Sequence, residues 1–140
     1  MATEDDRAAA IAIFESGWNR GEFGGLDGHL RRAVRLSRPR PHTCHGPRRA
    51  RAIVAGWRRG FPDLHFDLRD VVAEGGRVAI RATLTGTHRG EWNGRPPTAN
   101  AIAVDHFFLL RFDQGLLVEV FEVLDSAALE RQLEPGPSGG

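Results

Sequence analysis

From Leu64 to Leu124 the chain repeats one pattern, strand-like runs divided by turns, and this pattern limits its fold more than any other feature. Leu64, Phe66 and Leu68 alternate with His65, Asp67 and Arg69, as a half-buried strand requires. The segment EGGR then reads as a hairpin turn. VAIRATLTGTH is a second strand and AIAVDHFFLLRF a third. DQG turns the chain into LLVEVFEVLD, the fourth. These residues predict a four-stranded antiparallel meander after residue 63.

The preceding half has helical spacing. TEDDRAAAIAIFESGWNRGEF opens with a cap-like Thr3 and acidic residues suited to a helix N-terminus. Ile11, Phe14 and Trp18 follow at helical intervals, and Asn19 to Gly21 end the helix. A short helix is expected around Leu26 to Arg32, then a brief strand at AVRL, then a proline-rich loop, SRPRPHTCHG. PRRARAIVAGWRRGF is a helix whose apolar face carries Ile53, Val54 and Trp57. SAALERQL closes the domain as a helix capped by Asp125 or Ser126, and EPGPSGG is a frayed tail. Helices first, strands after and one closing helix make an α+β fold with helices on one side of a curved sheet.

The chain has 140 residues, which fits one domain over 1–134 with a flexible tail at 135–140. Hydrophobic residues are 41% and charged residues 26%, the balance of a globular chain. The net charge of +1 predicts no attraction to nucleic acid or to a membrane surface. All 19 basic residues are arginine. The lone Cys44 excludes an internal disulfide, and no apolar run approaches the roughly 18 residues that span a bilayer. The acidic start lacks a signal-peptide core, so a cytoplasmic protein is expected.

FPDLHFDLRDVVAEGGRVAIRATLTGTHRGEWNGRPPT, followed by LLRFDQGLLVEVFEVLDSAALERQL, resembles the SnoaL-like polyketide cyclases and ester cyclases of the nuclear-transport-factor-2-like superfamily. The likeness is close from Phe61 to Leu133, looser over the first helix, and poor over residues 31–46. It implies a cone, a curved antiparallel sheet wrapped around N-terminal helices with a deep apolar pocket at one end. It also implies no metal, no organic cofactor, and a homodimer paired through the open face of the sheet. The strands fit such pairing: Phe107 and Leu109 fall on one face, Phe108 and Leu110 on the other. The stiff segment at Gly86 to Asn100 becomes a rigid connection between two strands, with Trp92 in that connection or at a pocket rim or subunit contact.

In the family's aldol-type cyclases an aspartate on the last strand works with a histidine on the strand before it. The resemblance puts the aspartate position at Glu122 and the histidine position at Phe108, so the usual histidine is missing. His106, two residues earlier, shares the face of Phe108 and of Leu110. Glu122 shares its face with Val118, Val120 and Leu124, and apolar surroundings would raise its pKa towards the range of a general acid or base. Glu119 points the opposite way. The candidates are therefore Glu122 and His106 for catalysis, and Phe108, His88, Trp18, Trp57, Leu110 and Val120 for substrate binding. His88 is either a pocket residue or a hydrogen bonder at a strand end, and Asp125 is explained by capping. The spacing in HTCHG matches no standard zinc pattern. The basic run RRAVRLSRPR is a solvated surface or an attraction for an anionic carrier or a carboxylated substrate.

The expected function is cofactor-independent ring closure on a polyketide-like, small hydrophobic carbonyl compound in secondary metabolism, such as antibiotic biosynthesis. A hydroxylase or a cyclisation enzyme that works by imposing shape is the second reading, since Phe108 can stack on a substrate but cannot transfer a proton. A non-catalytic ligand-binding module of the same fold is the third.

Overall fold

The computed structural model of the protein describes residues 2–22, 30–37, 42–44 and 46–135, with side chains over 3–22 and 48–135. The 136–140 part of the expected tail and the 26–29 part of the expected short helix lie outside these residues. Helix α1 runs Ala2–Ala12, so Thr3 stands inside it and is not its cap. It continues as a π-helix, Ile13–Trp18, in which the Asn19 amide donates to the Phe14 carbonyl at 2.8 Å. Gly21, at φ 68°, then turns the chain away.

Strand β1 is Leu30–Ser37 and β2 is His42–Cys44. Helix α2 spans Gly46–Gly60. Strands β3 (His65–Glu74), β4 (Arg77–Thr87), β5 (Ala101–Asp113) and β6 (Leu116–Leu124) follow, and helix α3 is Ser126–Leu133. Among the described residues the sheet has six strands in the order β2-β1-β6-β5-β4-β3.

The meander β3 to β6 is antiparallel throughout, as the alternation predicts. Two expectations fail ahead of it. Residues 30–32 begin a strand, not a helix, and the proline-flanked HTC is a strand, not a loop. The cause is tertiary: β6 would otherwise leave an open edge of unpaired amides and carbonyls. β1 covers that edge by pairing parallel to β6, and β2 extends it antiparallel. The brief strand expected at AVRL lies inside β1, and Arg31 and Arg32 interrupt the apolar alternation that would have shown its start at Leu30.

Register shifts between Leu68 and Asp70 and between Arg111 and Phe112 bend the long strands, so the sheet curves around its helices. Along β5, Ile102, Val104, His106, Phe108, Leu110 and Phe112 are buried, while Ala103, Asp105, Phe107 and Arg111 are exposed. His106 is thus a polar residue in an otherwise apolar inner row. Phe14 from the π-helix meets Phe66 and Phe108 edge-on, with centroids 5.3 and 4.7 Å away. The wider π turn also lets Trp18 reach Phe66, at 5.2 Å.

The connection between β4 and β5 is pinned at several points. Asn93 (φ 50°) and Gly94 (φ 74°) form a two-residue turn with both residues left-handed, closed by the bridge between Trp92 and Arg95. The amides of Arg89 and Gly90 both donate to the Gly60 carbonyl, at 3.0 and 3.1 Å. A Cβ on Gly90 would lie 2.1 Å from the Arg59 carbonyl oxygen, so only glycine permits this approach. Trp92 is thereby laid against Gly60, with Trp57 4.8 Å away and Phe61 5.9 Å away. Asn100 Nδ2 donates to the carbonyls of Gln132 and Glu134, closing the C-terminus of α3.

Asp63 ties the start of the meander to the end of β4. Its carboxylate accepts from the Thr87 amide at 2.7 Å and the Thr87 hydroxyl at 2.8 Å. Burial alone would raise its pKa. The Thr87 hydrogen bonds, its own amide and the Arg89 charge outweigh that and hold it below the ordinary value of 3.8.

Candidate active site

Pairing between β5 and β6 decides what can meet on the inner face. Phe108 stands directly opposite Glu122, and His106 opposite Leu124. His106 and Glu122 are therefore diagonal neighbours, within reach of long side chains. His106 Nε2 lies 3.0 Å from Glu122 Oε2, and the two side chains are 5% and 13% exposed. A carboxylate this far out of water needs a partner, and the imidazole supplies one.

Phe108, which the resemblance aligns with a histidine position, supports His106 two residues before it. The Phe108 ring stacks on His106 with centroids 4.1 Å apart and planes inclined by 20°. Phe66 closes from another side at 5.4 Å. With these contacts and the bond to Glu122, the imidazole orientation is set. His106 Nδ1 is buried and has no hydrogen-bond partner.

A cavity of about 430 Å³ opens over the pair. Trp57, His106, Glu122, Leu124 and Ser126 line it, together with the half-exposed Phe121 and Val123. The described pairing of β1 with β6 stops at Ser37 opposite Phe121, just before Glu122, so this stretch of β6 borders the opening. Ser126 is available because Asp125 is the cap of α3, accepting from the Ala128 amide at 3.1 Å. Ser126 lines the cavity four residues after Glu122.

Of the other sequence candidates, Trp57 lines this cavity. Phe108 and Leu110 are buried in the core, and Val120 is half-buried beside them. Trp18 packs on Phe66, and its carbonyl accepts from Arg58 Nη1 at 2.8 Å. His88 is wholly buried at the end of β4, stacked on Phe61 at 5.3 Å. The Thr98 hydroxyl lies 3.0 Å from His88 Nδ1, and the Thr98 amide lies 3.3 Å from the same nitrogen. Leu124, Phe121, Val123 and Ser126 do not stand out in the sequence as site residues. For Ser126 a signal existed, because it follows the strand that carries Glu122.

Among the described residues no group of three or more His, Cys, Asp or Glu side chains could hold a metal ion. The side chains of His42, Cys44 and His45 lie outside those described. No described helix is long and apolar enough to cross a membrane.

No curated protein matches the sequence closely. Solved structures do. A candidate SnoaL-like polyketide cyclase from Jannaschia sp. CCS1 superposes with a TM-score of 0.87 at 23% identity, covering 96% of this chain and 95% of its own. AclR from Streptomyces galilaeus, a candidate hydroxylase, gives 0.80 at 26% identity over 94% and 96%. TsrD from Streptomyces laurentii gives 0.77 at 27% identity over 91% and 96%. The first of these shows the shared fold, which is the nuclear-transport-factor-2-like α+β fold expected above. The model of the family described as "SnoaL-like polyketide cyclase" matches residues 8–133. The inner-face carboxylate, the cavity above it and this match over nearly the whole chain lead to one conclusion: the protein belongs to the SnoaL-like polyketide cyclase family.

Proposed function

We propose that the protein is a cofactor-independent cyclase of small apolar carbonyl compounds, with Glu122 as its general base. The observation that carries this reading is the His106–Glu122 contact at 3.0 Å in the wall of a cavity. Family membership supports cyclase-type chemistry in general. The Glu122 carboxylate takes a proton from a carbon next to a carbonyl. The resulting enolate carbon attacks a second carbonyl of the same molecule, closing the ring. The new alkoxide then takes the proton back from Glu122, so protons balance over the cycle. The Ser126 hydroxyl is the donor suited to the developing oxygen charge, because His106 Nε2 is engaged with Glu122. His106 orients the carboxylate and buffers its charge.

Glu122→Gln keeps the side-chain shape and removes the base. Turnover of the natural substrate should fall by about 10²- to 10⁴-fold. Turnover within a few-fold of the parent would overturn the acid–base role. It would then favour a cavity that works by holding its substrate in shape, or oxygenation of the kind suggested by the likeness to AclR at 26% identity.

The protein pairs as a homodimer through the outer sheet face in this reading. Phe107 and Val123 are cross-strand neighbours there, 43% and 53% exposed, and Phe121 beside them is 40% exposed. Such a cluster favours covering. Light scattering at micromolar concentration should give twice the 15.4 kDa chain mass, and a monomer mass would count against it.

A further inference from the structure

A second cavity, of about 460 Å³, shares Trp57 and Leu124 as walls with the first. One stripe of α2 forms its long side, with Arg49, Gly56 and Arg59 at helical spacing. Trp92 and Glu91, from the connection docked on Gly60, face that stripe. Helix α2 carries five arginines and no acidic residue. Arg58 is committed to the carbonyls of Trp18 and Asn19. Among the described residues, Arg49 and Arg59 have no hydrogen-bond or ion-pair partner.

Gly56 adds an independent observation. Glycine in a helix interior is unfavourable, and here neither packing nor backbone geometry demands it. A Cβ at Gly56 would meet nothing within 4 Å, and its φ is not left-handed. The missing side chain leaves the groove open at its middle.

We propose that this groove holds a carboxylate-bearing arm of the substrate whose carbonyl framework occupies the His106–Glu122 cavity. The inference rests on the function proposed above and adds a substrate class to it. Among the described lining residues, two guanidinium groups and one carboxylate leave a single excess positive charge. That matches a carboxylate, which carries one negative charge, better than a phosphate monoester, which carries about −1.5 to −2. Glu91 follows the amides anchored beside Arg59 and offsets that end, so Arg49 is the principal anion contact. Trp57, common to both cavities, is the wall along which the framework continues into the arm.

The probes are anthraquinone-2-carboxylate and its methyl ester, titrated calorimetrically into the full chain at low salt. The acid should bind more tightly by about tenfold, as a charge-assisted hydrogen bond provides. Added sodium chloride should weaken the acid and not the ester. Arg49→Gln should remove the acid's advantage and leave ester affinity unchanged, and Arg59→Gln should do less. Gly56→Leu should fill the groove and weaken the acid, with circular dichroism confirming the helix. Equal binding of acid and ester by the parent protein would overturn the inference, as would an acid advantage that survives Arg49→Gln combined with Arg59→Gln. The His106 ring proton resonances separate this inference from the reading it rests on. If both probes shift them but the acid has no advantage, the carbonyl-binding cavity stands and the anionic arm falls. If neither probe binds at millimolar concentration, both fall.

Discussion

Among the described residues two histidines are buried, and each has one ring nitrogen without a partner. Their surroundings differ in kind. His88 is enclosed by Phe61 and receives hydrogen bonds from a connection whose backbone is fixed by Gly60, Gly90 and the Asn93–Gly94 turn. Its partners are an amide and a hydroxyl, which do not change charge. His106 sits on a regular strand against a carboxylate and borders a cavity. Burial of an imidazole therefore does not distinguish structure from chemistry. The identity of the partner and the access to space do.

The sharpest way to break this comparison is to truncate each ring. His88→Ala removes a fully buried ring and should cost about 2–5 kcal/mol of stability, as large-to-small core changes do. The folded fraction should keep its turnover. In the proposed reading His106→Ala should lower turnover more than it lowers the midpoint of thermal unfolding, because the ring borders a cavity and is bonded to Glu122. Thermal unfolding and single-turnover rates on both variants decide the matter. Equal stability losses with intact turnover in both would erase the contrast.

A smaller effect is expected from the connection itself. Gly90→Ala places a methyl group against the Arg59 carbonyl and should destabilise by about 1–3 kcal/mol as the connection shifts. That shift should also disturb His88, whose amide and carbonyl are bonded to Asn100 and Ala99. His106 resonances should move little. Unfolding in urea and a proton–nitrogen spectrum of both rings report the two effects separately.

The least effect belongs to Asp63, at the same end as His88. Its pKa is lowered in the fold, so its contribution is present above the ordinary carboxylate value and is lost as pH falls through the lowered one. Asp63→Asn should lower the melting temperature slightly at neutral pH. The gap to the parent should shrink below pH 3.8. A gap that stays constant down to acid denaturation would show that the bonds to Thr87 do not depend on the charge.

The contrast between the histidines is only half legible in the sequence. The period of two along AIAVDHFFLLRF and LLVEVFEVLD puts His106 on the face of Phe108 and puts Glu119 and Glu122 on opposite faces, and it is the resemblance that selects Glu122 as the inner one. Diagonal reach across β5 and β6 then depends only on register, which the DQG turn and the buried face specify between them. For His88 the same alternation leaves open whether a side chain at a strand end meets a cavity or a returning connection. Trp18 and Trp57 have equal standing as helical aromatics, yet Trp57 lines both cavities and Trp18 packs on Phe66. Their helices make different approaches to the sheet, and helical periodicity carries no information about approach.

Local pattern by itself determined the α+β class, the four-stranded meander and the closing helix with a cap at Asp125 or Ser126. Each of these follows from interactions a few residues apart or from an apolar face that must be buried. Tertiary structure alone decided that β1 and β2 join the sheet, that Phe108 serves as the platform for His106, and that Gly56 opens a groove between α2 and Trp92. These depend on which surfaces meet after long stretches of intervening chain. β1, for example, reaches from Leu30 to Ser37, beyond the AVRL read locally, because β6, about eighty residues later, presents an edge whose backbone groups require partners.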